Sequence, residues 1–188
     1  LGAYRLVTPV EKLEVPATVQ ALLAARIDRL PEREKQVLQT AAVIGKDFPE
    51  YLLSSVADLS QDQQKSALAV LRGSEIILEQ ALYPAVEYAF KHPLTQEVAL
   101  GSQLRDRRRQ IHVKVATAIE AHDAEHLDER AALLAHHYDE GGMDELAATW
   151  HARAARWVGR NDVGAGVHHW TRVRSLVRNL PENQERAK

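Results

Sequence analysis

Nine histidines and a block of arginines are the residues of this chain best equipped to do chemistry. His122 and His126 stand four apart with Asp123 and Glu125 between them, a spacing that would turn both imidazoles to one side of a helix. His136-His137 and His168-His169 are adjacent pairs, whose members point in different directions on a helix. A zinc site needs three or four ligands converging on one point, held by supporting hydrogen bonds. On that count the expectation is no metal site, and histidines solvated on helix faces. Arg105, Arg107, Arg108 and Arg109, with His112 and Lys114, form the one basic cluster. Such a cluster can contact phosphate, in nucleic acid or in a bound nucleotide. It can equally be a solvated helix face, partly paired with Asp106 and nearby carboxylates. A single short cluster in a chain of net charge −2 lacks the broad basic footprint of a nucleic-acid binder, so the solvated face is the expectation.

Several chemistries lack their residues altogether. A nucleotide hydrolase surrounds phosphate with backbone amides and a lysine, in a Gly-rich loop ending Gly-Lys-Ser/Thr, and the sequence contains no such loop. Nor does it contain a dinucleotide fingerprint, a Gly-x-Ser-x-Gly elbow or a His-Glu-x-x-His pair. With no cysteine, disulfides, thiolate zinc sites and cysteine nucleophiles are excluded. These absences lead to the expectation of a non-catalytic segment with no cofactor of its own.

The 188 residues suffice for one domain or two small ones. A 45% hydrophobic share with only 5% aromatics favours helices packed through small side chains over an all-β chain. The longest apolar run, 38–44, is interrupted by Gln39 and Thr40, so no membrane segment is expected. The chain opens on Leu1-Gly2-Ala3-Tyr4-Arg5-Leu6 without a signal-peptide pattern and reads like the interior of a larger protein. A reducing cytoplasmic setting is expected.

The elements that must position these residues follow from periodicity. Residues 1–14 read as an extended linker. Over 17–30, Val19, Leu22, Leu23, Ile27 and Leu30 repeat at helical spacing. Pro31 opens a second helix whose stripe is Val37, Leu38, Ala41, Ala42 and Ile44, with Gly45 as its stop. Phe48 and Pro49 are expected to start a third helix running to about residue 57. Ser60 is a natural N-cap for a fourth, 61–72. Two strand-like runs, 76–82 and 85–91, flank a Tyr83-Pro84 turn, and in the second Val86, Tyr88 and Phe90 alternate with Glu87, Ala89 and Lys91. Short helices closed by a hairpin make a winged-helix-like domain over 15–104.

After His92-Pro93 everything reads as helix: 94–104, 105–121, 128–138, 143–158 and 164–179. Asp139-Glu140-Gly141-Gly142 and Arg160-Asn161-Asp162 form the last two turns. The alanine-rich stretch 147–155, with Trp150 filling the gap its small neighbours leave, suits close helix stacking. Together with the Gly-Gly turn and a stop at Leu180-Pro181, it reads as a tetratricopeptide-like segment over 105–181, followed by a tail at 182–188. The expected fold class is therefore mainly α: a winged-helix-like module with a short β-hairpin, then tetratricopeptide-like antiparallel helices. A winged helix also raises DNA binding, through a recognition helix at 61–72 bearing Gln61, Gln63, Gln64, Lys65 and Arg72. Two positive charges there are few for that task, and DNA is not the expected partner.

Three runs carry a family resemblance. They are Val15-Pro16-Ala17-Thr18-Val19-Gln20-Ala21-Leu22-Leu23-Ala24-Ala25-Arg26-Ile27-Asp28-Arg29-Leu30-Pro31, then Leu38-Gln39-Thr40-Ala41-Ala42-Val43-Ile44-Gly45-Lys46-Asp47-Phe48, then Tyr88-Ala89-Phe90-Lys91-His92-Pro93-Leu94-Thr95-Gln96-Glu97-Val98-Ala99. In this order they resemble the segment after the nucleotide-binding domain in bacterial STAND signalling ATPases. The likeness is greatest to proteins joining a class III adenylate/guanylate cyclase domain to an AAA-type ATPase and tetratricopeptide repeats, an arrangement large LuxR-type regulators share. The resemblance spans roughly residues 1–180. It implies a regulatory segment whose partners are its own ATPase domain, holding ATP or ADP elsewhere in the parent, and an unknown protein bound through the repeats. It also implies that His92, in Phe90-Lys91-His92-Pro93-Leu94, contacts the phosphate of ADP in the closed state, and it leaves Arg26 and Arg29 either facing the ATPase domain or in surface ion pairs. Leu100 stands where relatives often carry an aromatic, and Trp170-Thr171-Arg172-Val173-Arg174 replaces an alanine-rich consensus. The alternative function is the DNA-binding winged-helix segment of a transcription regulator.

Overall fold

A computed structural model describes residues 17–81, 85–159 and 161–179. The expectations for the 1–14 linker, the Tyr83-Pro84 turn, Arg160, the Leu180-Pro181 stop and the 182–188 tail lie outside these residues. The described residues form nine helices and one small antiparallel sheet: α1 Ala17–Asp28, α2 Glu32–Ile44, β1 Asp47–Pro49, α3 Glu50–Val56, α4 Gln61–Gly73, β2 Ile77–Ala81, β3 Glu87–Phe90, α5 Pro93–Gly101, α6 Arg105–His122, α7 Ala131–Glu140, α8 Asp144–Val158 and α9 Val163–Asn179. None of these helices is long and apolar enough to cross a membrane.

The core is organised around α2, which is buried almost continuously from Val37 to Ile44. It packs against α3, α4, α5 and α6, so it must be apolar on most sides, and even Gln39 and Thr40 are drawn inside. Gln39 finds partners there: its side-chain amide donates to Ser102 Oγ at 3.0 Å, and its backbone carbonyl accepts from Gln103 Nε2 at 2.9 Å. Gly45 ends the helix at φ +153°, a conformation L side chains rarely adopt.

Two local expectations are corrected. Phe48 and Pro49 do not begin a helix. They lie in β1, which pairs antiparallel with β3 (Phe48 opposite Tyr88), and α3 starts only at Glu50. The physical reason is packing: Phe48 sits under the sheet, its ring centroid 5.8 Å from both Tyr88 and Phe90, a position helical backbone would not give it. The α1 stripe is also not a core face. Ile27 is buried, but Val19 and Leu22 are exposed because only α5 packs substantially against this helix.

The two strands expected after α4 do pair. β3 lies between β1 and β2, with Ile77 opposite Phe90 and a bulge between Glu79 and Ala81. As the central strand β3 buries Tyr88, Ala89 and Phe90 together, which removes the simple alternation. Ser60 caps α4 through a complete capping box: its Oγ accepts from Gln63 N at 3.3 Å, and Gln63 Oε1 accepts from Ser60 N at 3.0 Å.

From α7 onward each helix packs on the one before it, and α6 packs on α2 and α3. One hydrophobic cluster consequently runs from Ile27 through Ile111, Val115 and Ile119 to Leu176. At the last contact, α8 and α9 approach through glycines: a Cβ on Gly166 would stand 3.1 Å from Gly159 Cα. A methyl group there would require α8 and α9 to give by a few tenths of an ångström.

Candidate functional site

His92 is the N-cap residue of α5, directly after β3. Its backbone carbonyl accepts from Thr95 N at 2.9 Å, but its imidazole makes no cap hydrogen bond and is exposed. Pro93 at the first helical position has no N–H that would need an acceptor, so the helix begins without help from the His92 side chain. Around it the surface is charged. Lys91 pairs with Glu75 at 2.8 Å, Arg26 reaches across from α1 to donate to the Ser74 carbonyl, and Glu75 holds a left-handed φ of 55° at the end of α4. Hydrogen bonding to Lys91, reinforced by its charge and by Arg26, lowers the Glu75 carboxyl below the usual range. Arg26 is thus tied to the loop preceding β2, while Arg29 is exposed and makes no ion pair among the described residues.

The histidines of the later helices are not uniformly solvated, which corrects the expectation for them. His137 in α7 is 1% exposed and His112 in α6 is 4% exposed, and their Nδ1 atoms are 2.9 Å apart. One Nδ1 must therefore donate and the other accept. Burial pushes His112 down to about 4, helped by His136 and Arg108. Burial pushes His137 down to about 3, helped by His112 and His136. A second pair repeats the geometry two interfaces on: His151 of α8 and His169 of α9 meet Nδ1 to Nδ1 at 2.8 Å, and burial lowers both. In each case the second member of an adjacent histidine pair turns inward, and its partner lies on the preceding helix. Nothing in the spacing of 136–137 or 168–169 marks which member turns in; the partner helices decide it.

His122 and His126 do not share a helix face, because α6 ends at His122 and His126 lies in the following turns. His122 stacks on Tyr51 with ring centroids 3.8 Å apart and bonds Asp123 at 3.1 Å. Among the described residues no three histidine or carboxylate side chains converge as metal ligands would.

The arginine cluster also divides. His112 leaves it for the core, and Lys114 pairs with Asp58 at 3.1 Å. Arg105, Arg108 and Arg109 border a cleft of about 300 Å³ that also holds Asp139, Glu140, Asp144 and Arg172, so the charges are mixed rather than uniformly basic. Asp139 accepts two bonds from Arg172, both 2.6 Å, and one from His151 at 3.3 Å. Burial works against the Asp139 carboxylate, but these bonds outweigh it and hold its pKa down.

Glu120 was not singled out by sequence spacing, yet it joins three helices. Its carboxylate accepts from Tyr138 Oη at 2.8 Å and from Trp150 Nε1 at 3.0 Å, linking α6 to α7 and α8. Burial, then the bond to Glu120, pushes Tyr138 up to about 12.

On the supposed recognition helix, Gln64 is buried and donates to Ser54 Oγ at 2.8 Å, Gln63 is engaged in the cap, and Arg72 pairs with Glu79 at 2.5 Å. Lys65 is the one exposed cation of α4 without an ion pair among the described residues. The chain matches no protein-family model and no curated protein.

Proposed function

We propose that this chain is a non-enzymatic relay segment of a multidomain signalling ATPase of the STAND type, cyclase-linked in the closest resemblance. It couples the ADP or ATP state of an ATPase domain to a protein partner bound by helical repeats. The observation that supports this reading best is the element order α2-β1-α3-α4-β2-β3 with sheet order β1-β3-β2, which is consistent with a winged-helix reading, followed two residues after β3 by the exposed His92 at the start of α5. The positive end of a helix favours an anion. Although Pro93 has no N–H and Thr95 N is bonded to the His92 carbonyl, the unengaged His92 imidazole there can donate to a phosphate oxygen. The sequential stacking of α6 to α9 supports a tetratricopeptide-like output segment. Its role is conformational: contacts with the ATPase domain shift a population instead of making or breaking covalent bonds.

Against the DNA-binding alternative stands α4, whose polar residues are largely committed to the fold. The discriminating measurements are two. Fluorescence anisotropy of a random duplex at low salt should show no salt-sensitive binding to this chain. In the parent protein that contains the ATPase domain, His92→Ala should weaken ADP affinity and raise basal output. Unchanged ADP affinity and basal output in that variant would remove the phosphate role from His92.

A further inference from the structure

The outer face of α9 is apolar and uncovered. Val163 is 74% exposed, Val167 59%, Trp170 46% and Val177 53%, while Gly166 and Leu176 face inward toward α8. At 3.6 residues per turn the four exposed side chains fall within an arc of about 80° and extend along about 21 Å of helix. Scattered exposed apolar residues are ordinary, but four on one face of a single helix mark a candidate docking surface.

The charges beside the stripe have one sign. Arg174 lies within the same arc and Arg178 just beyond it, both exposed. From α8, Arg156 places its guanidinium carbon 5.8 Å from the Trp170 ring centroid. Val163–Asn179 contains no Asp or Glu, and none of these three arginines makes an ion pair among the described residues. Arg172, on another side of α9, differs in that Asp139 satisfies it.

We propose that this face docks an amphipathic helix whose apolar side is flanked by carboxylates. The i, i+4, i+7 spacing matches the ridge of a partner helix rather than an extended peptide, which would read alternate residues. The arginines select acidic flanks and speed encounter, while the valines and Trp170 supply the buried area. The proposal rests on the relay reading and names the chemistry of its protein partner.

The test uses the 188-residue chain and two fluorescein-labelled, helix-stabilised peptides with identical leucine stripes, one flanked by glutamates and the other by lysines. The glutamate peptide should bind with a blue shift in tryptophan emission, and the lysine peptide about tenfold more weakly or not at all. Arg174→Glu with Arg178→Glu should invert that preference, and Val167→Ser should weaken both peptides while leaving the circular dichroism spectrum unchanged. Equal binding of the two peptides would overturn the proposal, as would no binding of either. So would concentration-dependent self-association in sedimentation that Val167→Ser abolishes, which would assign the face to a second copy. None of these results bears on His92, whose test reads ADP affinity, so failure here and failure of the relay reading are separable.

Discussion

His112 Nδ1 lies 2.9 Å from His137 Nδ1 inside the α6–α7 interface, with both rings removed from water. Two neutral imidazoles pair there through their Nδ1 atoms, one donating and one accepting, while the buried Nε2 of His137 has no partner among the described residues. Two imidazolium ions would set N–H against N–H at the same distance. Burial holds both groups neutral, His112 to about 4 and His137 to about 3.

The pH dependence of stability follows in sign. Both folded-state values lie below the ordinary histidine value of 6.5, so the unfolded chain binds more protons than the folded one in the interval between. Their contribution is complete above pH 6.5 and is lost as pH falls toward 4. Urea midpoints taken from pH 7.5 to 4.5 should decline steadily below 6.5. His137→Asn, which keeps a hydrogen-bonding side chain but cannot titrate, should make that decline shallower. A midpoint independent of pH across this range would contradict the buried pairing.

Glu120→Ala should destabilise the chain by about 2 kcal/mol, because Tyr138 Oη and Trp150 Nε1 lose their acceptor together. Glu120→Gln keeps one acceptor oxygen and should cost about half as much. Thermal unfolding followed by tryptophan emission reads both variants.

The glycines provide a contrasting pair. Gly166→Val should cost about 2 kcal/mol through overpacking against α8, since even a Cβ would meet Gly159 Cα at 3.1 Å. Gly101→Ala, where nothing lies within 4 Å, should instead gain about 0.5 kcal/mol from helix propensity. Denaturant titrations of the two proteins should move in opposite directions.

Ser60→Ala removes one half of the capping box and should cost about 1 kcal/mol. Ser60→Asp, which restores an acceptor at the same position, should recover most of that loss in the same unfolding assay.

Local rules made much of the fold legible. The bounds of α4 follow from the Ser60 cap and Gly73, and the end of α8 from Gly159, all short-range features. Phe48 escaped those rules because its place is set by Tyr88 and Phe90, forty residues on, and Pro49 looks the same opening a helix as closing a strand. The site was less legible. His92 could be placed at the end of a strand and the start of a helix. The inward turn of His137 and His169 could not, because which of two adjacent imidazoles is buried depends on how neighbouring helices rotate about their axes.

The Glu120 carboxylate has a mechanical consequence. Because one side chain on α6 anchors both Tyr138 and Trp150, sliding either α7 or α8 along α6 would strain a bond on a shared post. Helices α6, α7 and α8 are therefore braced as one arm, and α9 is tied to it by the two Arg172–Asp139 bonds and the His151–His169 contact. A small rotation where α6 meets α2 and α3 would be delivered to the far end of that arm as a larger displacement, as a wrench converts turning at the grip into travel at the tip.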